Sequence, residues 1–498
     1  MAALDAEVHS QRSTNRLVLR NTLLLVGAKI LATPISVITN AVVARYLGPA
    51  DYSYMYLAST YTTFGLLFVV FGQSGALPAL VALDRTRAGE YLGTASAWRT
   101  GAGIAVYAVL ALGCWVFGYD VEFQYALALV FGGALITTIA AGALEAIRGF
   151  DRTDVDAINN VAIPLFTAAI TIPVVLLGGR LLAVLSVSLV ISIASLLFVG
   201  RYLRPVGIGA LSVSGTAARK LLVQGAPFLL FSGALALQTT VDAAFLSRYS
   251  PKDVVGWHAA ANKLIGLVVF PAAALITALY PVLCRLYADN KTSFFETTRS
   301  TLTASVVLMV PVALCCGLFP EVGVMVLGEE GYGPIIDNLR VMAVFVFLVY
   351  VSMPLGIAIL AAGRARAWSL TQALCVVISV ILDPILIPMF ERSRGNGGIG
   401  ICWARVISEA FMVLVGVWLL PKGTLSWRIF RPTASALAAG GAMAALAWLL
   451  RDLSVFVVAP ATIVVYVVTL WVTGGLNREQ IQFLKSVASR KRDAEQAN

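Results

Sequence analysis

The chain has 498 residues, of which 59% are hydrophobic and only 12% charged, with a mean hydropathy of +0.86. A soluble domain carries roughly 25% charged residues, so a water-soluble globular protein is excluded at the outset. The net charge of +10 is spread through short segments between apolar runs rather than gathered in a patch, which argues against nucleic acid as a partner.

The first sixteen residues are polar, and no short apolar core with a small-residue cleavage site follows, so the first apolar run is expected to stay in place. Runs of about 20 residues match the ~30 Å hydrocarbon core of a bilayer. Fourteen are found, near 20–44, 53–80, 93–117, 123–146, 157–177, 181–203, 219–246, 255–283, 300–319, 335–361, 367–390, 398–420, 432–450 and 454–474. Pro34, Pro164, Pro227, Pro271, Pro311, Pro354 and Pro384 interrupt them, as membrane helices tolerate. The expectation is an all-α polytopic membrane protein with about 14 transmembrane helices.

The stretch ARYLGPADYSYMY (Ala44 to Tyr56) closes the first run and opens the second. Its Gly48-Pro49 pair predicts a tight turn, because proline lacks an amide donor and restricts the residue before it. Tyr46, Tyr52, Tyr54 and Tyr56 are expected where hydrocarbon meets water. A shift of 203 residues lays Arg45-Tyr46 on Arg248-Tyr249, Ala58 on Ala261, and Pro78 on Pro281 without a gap. The constant register predicts two related halves.

Loop charge sets the expected orientation. With the N-terminus cytoplasmic, that side holds 25 of the 36 basic residues, a tally that takes in Arg99 near the cytoplasmic end of the third run. The opposite side holds eight, among them Arg45, Arg248, Arg392 and Arg394. Lys29, Lys263 and Arg405 fall inside spans. The positive-inside rule then places both termini in the cytoplasm. The Arg45 and Arg248 turns face outward, and each half of six spans runs parallel to the other, related by an axis along the membrane normal.

Several residues carry chemistry at membrane depth, where a charge costs at least about 2.5–3.5 kcal/mol. Lys29 lies nine residues past Arg20, roughly 13 Å into the first helix, and Lys263 lies seven past Gly256, about 10 Å from the outer side. Each marks either a substrate path or a structural contact. Asp242 near the outer end of the seventh run, and Asp383 before Pro384, could carry a coupling ion or brace local structure. Arg405 and Glu409 at i, i+4 are expected to pair within one helix, which leaves Glu409 as the less favoured ion-coupling residue. Asn40, Gln73 and Gln238 suit interhelical hydrogen bonds or a sugar.

Gly395, Gly397 and Gly400 satisfy GxGxxG, but no strand precedes them, so a flexible outer loop is expected rather than a dinucleotide site. The six cysteines form no CxxC, and His9 and His258 are the only histidines, so neither a disulfide framework nor a zinc site is expected. There is no GxxxxGK[ST], hence no ATP-hydrolysing module, and no cofactor is expected. A basic tail after Asn477 has Ile481, Leu484 and Val487 on one helical face, suited either to an anionic membrane surface or to solvent. Small residues in Ala434 to Ala447 permit close helix approach.

The Ala44–Tyr56 stretch, its partner VDAAFLSRYSPKDVVGWHAAANKL (Val241 to Leu264) and GGIGICWARVISEA (Gly397 to Ala410) resemble polysaccharide and lipid-linked oligosaccharide flippases. Their superfamily also holds the MATE drug exporters and peptidoglycan-precursor flippases. Ser53 departs from the glycine common there, whereas Gly256 keeps it. The resemblance implies two six-helix lobes around a central cavity with two added C-terminal helices, alternating access, and no enzymatic chemistry. The corresponding divisions are a tail 1–18, lobes 19–210 and 211–422, a terminal pair 423–476 and a basic tail 477–498.

The implied function is movement of a polyprenyl-diphosphate-linked oligosaccharide across the cell inner membrane. The substrate-binding candidates are Lys29, Lys263, Arg45, Arg248, Asn40, Gln73 and Gln238, and those for ion coupling are Asp242, Asp383 and Glu409. Membrane lipids, and a polysaccharide polymerase or glycosyltransferases, are the expected partners. The alternatives are a cation-coupled exporter of small organic cations and a non-transporting scaffold for envelope synthesis. The absence of any acidic residue between Leu17 and Arg45 weighs against a cation site in the first helix.

The orientation has a direct test. With the native cysteines replaced, Ser250→Cys should react with an impermeant thiol reagent in intact cells, while cysteines at either terminus should not. Labelling of a terminus from outside would overturn the assignment.

Overall fold

The structure is a computed structural model that describes the backbone of residues 2–427 and 430–475; side chains are described from Ala32 onward, apart from a few positions in the helices near 227–235, 274–278 and 329–330. Sixteen α-helices are found among the described residues. They are α1 (Ala2–Val70), α2 (Gln73–Leu83), α3 (Ala88–Val116), α4 (Val121–Arg148), α5 (Asp154–Leu176), α6 (Leu181–Val206), α7 (Gly215–Tyr249) and α8 (Lys252–Asp289). There follow α9 (Lys291–Leu318), α10 (Glu321–Leu327), α11 (Glu329–Tyr332), α12 (Ile335–Ala361), α13 (Ala365–Arg394), α14 (Gly398–Leu419), α15 (Phe430–Leu449) and α16 (Val455–Val472).

Helices cover all fourteen expected apolar segments, though not one helix to a segment. Among the described residues, twelve helical stretches are long and apolar enough to cross a membrane. The first of them, Ala32–Leu83, takes in two expected segments, and α7 is not among the twelve.

The turn expected at Gly48-Pro49 is a single residue of non-helical backbone inside α1, Gly48 at φ 74°, ψ 171°. A residue with a Cβ is strongly disfavoured there. Pro49 then opens the next helical stretch, where its missing amide leaves nothing unsatisfied. Ser53 is fully buried, and its hydroxyl donates to the Ala50 carbonyl at 2.6 Å. The tyrosines divide differently from expectation. Tyr46 is exposed, but Tyr52 and Tyr54 are buried, and Tyr54 donates its hydroxyl to Asp120.

A second interruption was not anticipated. Phe71 (φ 48°) and Gly72 (φ 68°) both adopt left-handed backbone and split the expected second span into the end of α1 and the start of α2. A left-handed phenylalanine costs about 1–2 kcal/mol, so its surroundings must hold it. The Phe71 ring meets Trp98 at 6.1 Å between centroids. α7 approaches so closely at Gly225 that a Cβ there would collide with the Phe71 carbonyl oxygen. The matching region of the second half, α8, is one uninterrupted helix.

The chain forms two compact units, Met1–Ala244 and Phe245–Asn498. In the first, α4 packs on α6 and α1 on α5. A core of Leu77, Leu80, Val81, Tyr91, Leu92, Leu144, Ile147, Val199 and Leu221 gathers the ends of α2, α3, α4, α6 and α7. In the second, α12 is the centre and packs on α8, α9 and α14, with α13 against α14. The last pair joins this unit through α9: Tyr466 donates to the Val307 carbonyl at 2.7 Å, and α15 lies so close at Gly440 that a Cβ would stand 2.6 Å from Val310.

The GxGxxG segment is not a flexible loop. Gly395 ends α13 in left-handed backbone at φ 64°, and Asn396, Gly397 and Gly398 are buried. Gly400 brings α14 within reach of the Leu386 backbone, where a Cβ would sit 2.6 Å from the carbonyl carbon. The Gly397 amide and the Ser250 hydroxyl both donate to Glu391, at 2.8 and 2.7 Å. Because Ser250 is held in this way, the exposed Asp253 is the better cysteine position for labelling.

Gly225→Val should lower thermal stability by about 1–3 kcal/mol, the range for forcing extra carbons into a packed interior. Gly233→Val, where a Cβ meets nothing within 4 Å, should have a much smaller effect in the same thermal denaturation assay.

Candidate functional site

The expected site residues fall into two sets, one in each unit. In the first unit Arg45 is exposed, with no ion pair or hydrogen bond among the described residues. Asn40 is half-buried and donates to the Ser36 carbonyl of its own helix at 2.7 Å. Gln238 is half-buried and Asp242 is 1% exposed, both on α7. Lys29 and the tail after Asn477 lie outside the residues whose side chains are described.

Gln73 is 1% exposed, and its carbonyl oxygen accepts from the Arg99 Nε at 3.0 Å. Arg99 is expected among the cytoplasmic-side charges. It is instead 1% exposed inside α3, and it donates to Glu145 on α4 at 2.8 Å and to the Thr138 carbonyl. Gly142 makes room for it: a Cβ there would stand 2.6 Å from a guanidinium nitrogen. Without Arg99 the loop bases still lie mostly on the expected cytoplasmic side.

This cluster was missed because a sequence count treats an arginine near a span boundary as loop charge. The available signal was Glu145, an acid one residue inside the end of another apolar run. Two opposite charges at membrane depth call for each other, since leaving either alone is strongly unfavourable. The arrangement secures the start of α2 just beyond the Phe71–Gly72 break.

In the second unit Lys263 stands in α8, inside the membrane-length stretch Lys252–Ala273. It is exposed and makes no ion pair or hydrogen bond among the described residues. Arg248 is likewise exposed and unpaired among them. The expected Arg405–Glu409 pair does not form. Arg405 reaches across to α8 and donates to Asn262 at 2.6 Å, while Glu409 accepts from Ser352 on α12. Side chains at i, i+4 share a face, but α14 packs on α12 and also meets α8, and each charge finds its partner on one of those helices.

Asn262 also meets His258, one turn earlier on α8, at 3.3 Å. His258 and Asp383 are both fully buried. A polar band of His258, Asn262 and Arg405 therefore crosses between α8 and α14, with Lys263 one residue past Asn262 and left open. Some charges near the helix ends are met locally. Arg299 donates to the Thr424 carbonyl at 2.6 Å, Arg152 pairs with Asp154 at 2.8 Å, and the Thr86 hydroxyl beside Asp84 holds that carboxyl below its usual range.

Arg99→Ala and Glu145→Ala should each lower stability by about 3–5 kcal/mol, because each leaves an unpaired buried charge. Arg99→Met with Glu145→Leu should recover most of that loss in thermal denaturation. A double variant no more stable than the singles would count against a paired role.

A family model described as "Polysaccharide biosynthesis protein" matches residues 18–287, and the MatE family model matches residues 227–389. The fold is similar to that of the structure titled "Lipid II flippase MurJ, inward closed conformation", at TM-score 0.71 and 12% identity, covering 91% of this chain and 98% of that one. It is also similar to an inward-facing multidrug resistance MATE family transporter, at TM-score 0.55 and 14% identity, covering 78% and 97%. A third similar structure is a MOP superfamily transporter from Pyrococcus furiosus, at TM-score 0.56 and 14% identity, covering 80% and 94%. Among curated proteins, none matches the sequence. The family model spans more than half of the chain, and the helices place it in the membrane: this is a polytopic membrane protein of the polysaccharide biosynthesis protein family.

Proposed function

We propose that this protein carries a polyprenyl-diphosphate-linked oligosaccharide from the cytoplasmic to the outer leaflet of the cell inner membrane by alternating access. The observation that carries this reading is Lys263, a membrane-depth ammonium exposed and unpaired among the described residues, beside neighbours that are engaged. An unsatisfied cation within a span marks a path for an anion. A diphosphate is such an anion, and its polyprenyl tail can remain in lipid while the head group moves.

Membership of the polysaccharide biosynthesis family and a fold similar to a lipid II flippase support the same substrate class. Lys29, Arg45 and Arg248 are the further cations proposed to meet the diphosphate, and Asn40, Gln73 and Gln238 the amides proposed to meet sugar. Asp242, Asp383 and Glu409 are the proposed ion-coupling acids. An outward-positive potential assists export, since each negative charge moved out gains about 2.3 kcal/mol per 100 mV. Both termini lie in the cytoplasm in this reading, beside the enzymes that assemble the oligosaccharide.

Lys263→Ala should abolish flipping of a labelled lipid-linked oligosaccharide in proteoliposomes, and Lys263→Arg should retain part of it, since arginine keeps the charge but changes its geometry. The same pair of substitutions at Lys29 should behave alike. Flipping should persist without ATP when ion gradients are maintained. A Lys263→Ala protein that folds normally and is still stabilised equally by the lipid-linked substrate would remove Lys263 from the binding site.

A further inference from the structure

The C-terminal half of α13 carries a groove of about 740 Å³ lined by Pro384, Ile385, Pro388, Met389, Arg392 and Ser393, with Tyr249 at its flank. The α13 residues recur every four positions, so they form one helix face about two turns long. Its chemistry is graded along the axis. Ile385 and Met389 are 58% and 50% exposed, as lipid-facing residues are. One turn further lie Arg392 and Ser393, also exposed, and the helix ends at Gly395. The apolar part therefore lies toward hydrocarbon and the polar part at the head-group level.

The polar groups at that end are all able to donate. Arg392 makes no ion pair or hydrogen bond among the described residues, and neither does the Tyr249 hydroxyl or that of Ser393. Their neighbours are occupied. Glu391 accepts from Ser250 and from the Gly397 amide, and Arg394 lies 3.9 Å from Asp337. The Tyr249 ring is held in place by stacking on Phe245, with ring planes 8° apart. A guanidinium and two hydroxyls left open at the mouth of an apolar groove match a phosphate attached to an acyl chain.

We propose that this groove is a binding site for an anionic phospholipid, with the acyl chain along Pro384, Ile385, Pro388 and Met389 and the phosphate on Arg392, Ser393 and Tyr249. The site depends on the chain's membrane location and not on its transported substrate. It is separate from Lys263, which lies on α8. A zwitterionic lipid has the same phosphate but adds a choline cation beside Arg392, so an anionic head group is preferred.

The test uses the full-length protein, purified in detergent and relipidated with phosphatidylglycerol or with phosphatidylcholine of the same acyl chains. Native mass spectrometry and thermal denaturation should both show preferential binding of phosphatidylglycerol to the wild type. Arg392→Ala should weaken that binding about tenfold or more, the loss expected for one charge-assisted contact. Arg394→Ala should leave it within about twofold, because that residue does not line the groove. Equal binding of the two lipids by the wild type would overturn the proposal. So would a preference that survives Arg392→Ala, or one lost equally in Arg394→Ala.

Discussion

No water is available in a hydrocarbon core to satisfy a free peptide group, and that constraint governs the whole molecule. Each backbone amide must find its carbonyl within its own segment, which leaves the α-helix as the available form for a lone apolar run. The interruptions that do occur are therefore informative. At Gly48 the cost is kept to one residue, with proline following where no amide is needed. At Phe71–Gly72 two residues leave the helix, and the break is covered by the α7 backbone at Gly225.

Charges at membrane depth are handled in two ways. Arg99 and Glu145 meet inside the first unit, with Gln73 and a carbonyl taking further guanidinium hydrogens. Such a cluster fixes the relative geometry of α2, α3 and α4. Lys263 stands at the opposite extreme, with the neighbouring Asn262 already engaged by His258 and Arg405. The contrast between an engaged and an open charge lies in contacts rather than in depth, since both kinds lie inside apolar helices.

Glycine has a consistent use across the two units. Gly225, Gly400 and Gly440 each bring a helix backbone or side chain closer than a Cβ would permit. In hydrocarbon, apolar surface gives little reason for helices to associate, so close van der Waals packing has to supply it. The two halves share a register of basic and aromatic residues at Arg45-Tyr46 and Arg248-Tyr249, yet they differ in how the following helix runs. It is broken after Val70 in one and continuous to Asp289 in the other.

Composition and run length by themselves determined that this is a helical membrane protein, because a hydrocarbon solvent acts on each segment separately and averages over its residues. The Gly48 turn was legible for a similar reason: proline and glycine act on their own backbone. The partners of the buried charges were not legible. Arg405 and Glu409 share a helix face, and a local rule pairs them, but neighbouring helices offered Asn262 and Ser352 at shorter reach. Arg99 lay near a span boundary in sequence and became the centre of a buried cluster only because α4 presents Glu145 and the bare Gly142 beside it. Tyr52 and Tyr54 were placed at the interface by residue type, and tertiary packing enclosed them. Contacts of this kind depend on which helices become neighbours, and no segment carries that information alone.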